Sequence, residues 1–253
     1  MTSLCRRARG AVAASGLLVA TLLAWAWIVV MARDMYGSMR GAAAWMMTPV
    51  WDASHLLLLW AMWAVMMAAM MLPSASPLVL LYAGAVRRRA GTQRPMLQVA
   101  ALTGGYVLVW AAFSVGATLL QRGLASLLLL TPMMEPSTPL VSASILLVAG
   151  IYQWTPLKQA CLRACRSPLS FVMQRWRQGG GGALRMGIEH GIYCLGCCWA
   201  LMLILFAGGV MNLLVIVALT AWVLVEKLAP FGEQSARASG ALLIATAGWL
   251  LLR

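Results

Sequence analysis

Apolar residues run through this chain in stretches too long and unbroken to be the core-facing stripe of a soluble helix. They cover about 10–32, 55–83, 97–120 and 139–157, and a last block divides into 188–208, 211–228 and 239–252. The first break in that block is "GGVMN" (208–212), a tight-turn signal; the second is "EKLAPFGEQSAR" (226–237), which carries charges, Pro230 and Gly232. Hydrocarbon leaves no partner for an unpaired backbone group, so runs of this length predict membrane-crossing helices. The expected fold is all-α: a polytopic transmembrane bundle of about seven helices, the last one short, in a single domain over 1–253. A basic loop is expected at 158–187, with a glycine-rich joint at "QGGGGA" (178–183).

Composition agrees: 62% of residues are apolar, 10% are charged, and mean hydropathy is +0.85. Charge is scarce but lopsided, with 19 Lys and Arg against 6 Asp and Glu, a net of +13. In a soluble protein that excess would suggest nucleic acid. Here it sits in short loops between apolar runs and reads as topology and contact with anionic lipid, with no nucleic-acid partner. Arg6, Arg7 and Arg9 precede the first run. Arg87, Arg88, Arg89 and Arg94 fill the second loop, and Lys158, Arg163, Arg166, Arg175, Arg177 and Arg185 the fourth. The first and third loops balance their charges. This alternation predicts a cytoplasmic N-terminus and an outside C-terminus. The first apolar run exceeds the roughly 7–15 residues of a signal-peptide core, so it is expected to be an uncleaved anchor.

With that orientation the cysteines gather on one side. Cys161 and Cys165 follow Pro156 at the end of the fourth span; Cys194, Cys197 and Cys198 occupy the first turns of the fifth; Cys5 is also cytoplasmic. Thiols in the cytosol stay reduced, so structural disulfides are not expected. At 100° per residue, His190, Cys194, Cys197 and Cys198 share an arc of roughly 100° on one helix face. Cys161 and Cys165, at i and i+4, share a face if the fourth helix continues. Thiolates and an imidazole converging from two helix ends supply what Cu(I), or alternatively Zn(II), requires. Packing is the competing account, since cysteine is also a small apolar residue.

The second span is rich in methionine. Met62, Met66 and Met70 repeat at i+4, and His55 lies on the same face near the outer end. Thioethers favour Cu(I) over harder ions, so this column is a candidate soft-metal path, though methionine also serves as adaptable packing. Pro73 and Pro77 are expected to kink or break that helix. Met35, Met39, Met46 and Met47, with Met133 and Met134, form a candidate outer entrance. Glu226 and Lys227 read as interfacial residues that snorkel to the inner face.

The blocks "MMAAMMLPSASP", "YQWTPLKQACLRACRSP", "EHGIYCLGCCWALM", "GGVMNL" and "EKLAPFG", in this order over about residues 45–240, resemble a bacterial family of inner-membrane proteins. That family is described as predicted metal-binding integral membrane proteins, with some members labelled copper chaperones. The resemblance implies bacterial inner-membrane location and metal binding, with copper favoured, at Cys161, Cys165, Cys194, Cys197 and Cys198.

Three readings of function follow. The first is a membrane protein that holds or transfers Cu(I) at a Cys/His site on the cytoplasmic face, exchanging it with a copper-carrying or copper-receiving protein. The alternatives are a membrane thiol–disulfide oxidoreductase using "CLGC" (194–197), or an assembly scaffold whose cysteines only pack. The outer loops hold no cysteine to accept electrons, which disfavours the oxidoreductase. No HExxH, dinucleotide-binding GxGxxG or phosphate loop is present, so an enzyme is not expected.

Overall fold

The structure, a computed structural model, describes residues 2–37, 51–89 and 94–252, with side chains from residue 12 onward. Met39, Met46 and Met47 of the expected outer cluster, and the side chain of Cys5, lie outside the described residues. The described residues form nine helices and no strand. They are α1 (Thr2–Met35), α2 (Ala53–Arg88), α3 (Pro95–Ser126), α4 (Pro139–Gln153), α5 (Pro156–Arg166), α6 (Pro168–Arg175), α7 (Gly179–Gly208), α8 (Leu213–Leu228) and α9 (Gly232–Leu251).

Four of these, α1 over Val12–Met35, α2, α3 and α7, are long and apolar enough to cross a membrane. The pair α4 and α5, bent by 66° at its break, makes a fifth if it counts as one span. Of the other expected spans, α8 has 16 residues, and α9 opens on polar turns with Glu233, Gln234, Ser235 and Arg237. On α1, Leu18, Val19, Leu22, Leu23 and Val30 are all more than half exposed.

Where a basic loop is expected, at 158–187, the chain forms most of α5, all of α6 and the start of α7. Gly179 to Gly182 are the first turn of α7 rather than a joint. Glycine is a poor helix former, but tertiary packing overrides propensity, and Ala183, Met186 and Gly187 are buried directly behind that turn. The closest approach involves Gly105 of α3 and Gly187 of α7. A methyl group on Gly105 would overlap the Leu184 carbonyl, and one on Gly187 the Leu102 carbonyl. Small residues let two spans meet backbone to backbone, and here they seat α7 deep against α3.

Helix α2 runs through Pro73 and Pro77 without a break. Each proline leaves the carbonyl four residues earlier without its intrahelical donor. Trp25 Nε1 of α1 donates to Ala69 O at 3.1 Å, and Ser76 Oγ donates to Pro73 O at 2.7 Å. Both vacancies are therefore filled, one of them by the neighbouring helix, and this explains why the helix survives.

Buried charge ties α5, α8 and α9 together. Lys158 of α5 is fully buried and its Nζ lies 2.5 Å from Glu226 Oε2 of α8. Gln153 Nε2 and Trp222 Nε1 donate to Glu226 Oε1 at 2.8 and 3.0 Å, and Ser239 Oγ of α9 lies 3.4 Å from it. Glu226 and Lys227, expected to snorkel to the interface, are instead 1% and 5% exposed, because each has a buried partner to face. Arg166 ties α5 to the α8–α9 turn by donating to the carbonyls of Glu226, Ala229 and Pro230. Breaking one side of a buried ion pair strands the other charge. Glu226→Leu is expected to cost about 3–5 kcal/mol, and the pair Lys158→Met/Glu226→Leu much less. Thermal unfolding of both variants in detergent checks this; equal losses would contradict it.

Candidate functional site

The bend at Trp154–Thr155 sends α5 back across α7. Thr155 caps α5, its hydroxyl accepting from Lys158 N at 3.3 Å, and Pro156 starts the helix with a preset φ. Tyr152 OH donates to Gly196 O at 2.5 Å, which pins the bend to the middle of α7. Cys161 then packs its sulfur onto the bare face of Gly196, half-buried. One turn on, Cys165 is carried inward and is buried.

Cys194, Cys197 and Cys198 on α7 are each no more than 1% exposed. With Cys165, which is carried in from α5, they lie in one buried cluster. All five described cysteines are free. Cys197 Sγ and Cys198 Sγ also donate to Cys194 O at 3.1 and 2.9 Å. His190 is buried one turn before them, with Nε2 4.0 Å from Cys165 Sγ and Nδ1 without a hydrogen bond.

Three further residues close the site. Tyr106 of α3 lies 3.0 Å from Cys194 Sγ through its hydroxyl, which also donates to Met71 O at 3.1 Å. Met71 of α2 places its Sδ 4.0 Å from Cys198 Sγ. Lys227 of α8 inserts its Nζ between Cys194 Sγ at 2.9 Å, Ser74 Oγ at 3.1 Å and Met71 Sδ at 3.9 Å. Thiol and thioether sulfur thus meet one ammonium group in a buried core, with a phenol against the same thiol. Among the described residues, no group of three or more His, Cys, Asp or Glu side chains is disposed to hold a metal ion.

Of the residues singled out in the sequence, Cys165, His190, Cys194, Cys197 and Cys198 are brought together. Cys161 stands at the edge, against Gly196. The cysteines of α7 lie near its midpoint rather than in its first turns, because the helix starts at Gly179. They are enclosed by neighbouring helices and do not face solvent. His55, Met62, Met66 and Met70 are all buried along α2, with His55 edge-on to Trp51 at 5.1 Å. The thioether that reaches the cysteines is Met71, one residue off that column.

Lys227, Met71 and Tyr106 were not legible as site residues. A signal for Lys227 existed: Ile216, Thr220, Val223 and Lys227 are the buried stripe of α8 at helical spacing, and an ionisable group on such a stripe implies a partner. Tyr106 carries no comparable mark in the sequence.

The family described as "PpoB2: Copper chaperone" matches residues 60–250, most of the chain, and the protein belongs to it. No curated protein and no solved structure is detectably similar.

Burial orders the reactivity of the thiols. In a Cys5→Ser background, a bulky maleimide is expected to label Cys161 in the folded protein, and the other four only after denaturation. Mass mapping of the adducts checks this, and prompt labelling of Cys194 or Cys197 would contradict the enclosed site.

Proposed function

Starting from membership of that family, we propose that the chain is a multi-pass protein of the bacterial inner membrane that holds Cu(I) on its buried thiols. It exchanges the ion with a copper-carrying or copper-receiving protein. The observation that carries this reading is the burial of Cys165 from α5 in one cluster with Cys194, Cys197 and Cys198 from α7, beside the Met71 thioether. The donor set fits the cargo. Thiolate and thioether sulfur select Cu(I), for which a pair of thiolates suffices, whereas a structural zinc site takes four ligands. The unpaired Nδ1 of His190 adds a polar atom with nothing to bind.

The charge pattern of the loops supports seven spans with the N-terminus in the cytoplasm. On that orientation, half-exposed Cys161 on α5 is the first sulfur a cytoplasmic donor meets, and Cys165 follows one turn inward. His55, Met62, Met66 and Met70 continue a soft-donor line along α2 towards the outer side, and Met71 joins it to the cysteines.

A second reading is thiol–disulfide exchange. It is favoured by the gathering of free Cys165, Cys194 and Cys197 in one buried cluster, and by the lack of a three-donor group among the described residues. One experiment separates the two. The purified protein, reduced and anaerobic in detergent, is expected to retain stoichiometric Cu(I) against a competing chelator. Cys165→Ser or Cys194→Ser is expected to weaken retention by about 100-fold or more, since truncating a buried ligand loses several kcal/mol. Absence of copper, with reversible formation of a Cys165 disulfide, would favour exchange. Absence of both would leave packing thiols.

A further inference from the structure

Lys227 has no role in the reading above, yet its ammonium is buried in direct contact with the sulfur cluster. It is 5% exposed, and its Nζ touches Cys194 Sγ, Ser74 Oγ and Met71 Sδ. The neighbouring carboxylate, Glu226, does not neutralise it. Glu226 faces the other way and is occupied by Lys158, Gln153 and Trp222. A buried ammonium must be balanced locally, and among the described residues the groups beside Lys227 able to carry negative charge are the Cys194 sulfur and, next to it, the Tyr106 hydroxyl.

We infer that Lys227 sets the valence of the cargo: its fixed positive charge makes the site accept a monovalent soft cation held by two thiolates and disfavour a divalent one. This rests on the metal-holding reading above. Binding requires the ligands to lose their protons. Two thiolates with Cu(I) carry a net single negative charge, and the ammonium brings the enclosure to neutrality. Two thiolates with Zn(II) are already neutral, so the ammonium would be left unbalanced in the core. A third thiolate would restore balance for zinc, but among the described residues no three such donors are disposed around one point. The hydroxyl of Ser74 and the thioether of Met71 hold the ammonium against Cys194 without adding charge, so the charge count is set by Lys227 alone.

The test measures Cu(I) and Zn(II) retention separately, each by competition with a soluble dithiol so that the intrinsic preference of sulfur cancels. Wild type, Lys227→Met and Lys227→Arg are compared as full-length protein in detergent. The ratio of Cu(I) to Zn(II) affinity is expected to fall by about 100-fold in Lys227→Met, as the loss of a close charge in a partly shielded interior implies. Lys227→Arg, which keeps the charge, is expected to stay within about 10-fold of wild type. Wild type that holds Cu(I), with a ratio unchanged in a folded Lys227→Met, would overturn the inference and leave the copper reading intact. Wild type that holds no Cu(I) would overturn both. Should Lys227→Met not fold, Ag(I) and Cd(II) decide in the wild type. Cd(II) held as well as Ag(I), relative to the same dithiol, overturns the inference, and selective retention of Ag(I) supports it.

Discussion

A charge enclosed by a helical bundle must bring its counter-charge with it, and two lysines impose that condition here. Lys158 is answered by Glu226, Lys227 by the sulfur of Cys194. The two acceptors lie on different helices, while Glu226 and Lys227 are adjacent on α8. Helix α8 is therefore clamped between α5 on one side and α7 on the other. The hydrogen bonds of Arg166 to the end of α8 reinforce the first contact, and the glycine seam between α3 and α7 steadies the second. Remove either partner and the remaining ammonium has no solvent to return to.

The sulfur site follows from this arrangement. Cys165 reaches α7 because the bend before Thr155 and the Lys158–Glu226 pair hold α5 across it. Cys194 lies at the centre because Tyr106 and Lys227 approach it from opposite helices. Met71 comes within reach because α2 stays continuous through two prolines, its freed carbonyls satisfied by Trp25 and Ser76. Belonging to a copper-chaperone family agrees with soft donors gathered in a buried interior, where among the described cysteines Cys161 alone keeps partial contact with the surroundings.

Much of this was legible in the chain itself. Helical periodicity placed His190, Cys194, Cys197 and Cys198 on one face, and they share the buried face of α7. Apolar run length identified α1, α2, α3 and α7 as long enough to cross a membrane. The glycine run at 179–182 misled, because local propensity argues for a joint while burial of the residues behind it favours helix. Of the kink or break expected at Pro73 and Pro77, the break does not occur, because the partners that hold the helix include Trp25, 44 residues away from Ala69 and invisible to local rules. Lys227 misled because a lysine at the end of an apolar helix has two solutions, water or a buried anion, and only tertiary structure chooses between them.

The central claim, that this sulfur core is where copper is held, is tested most directly by X-ray absorption at the copper edge on the Cu(I)-loaded protein. The account predicts a spectrum dominated by sulfur neighbours at low coordination number. Copper surrounded mainly by nitrogen and oxygen would contradict it.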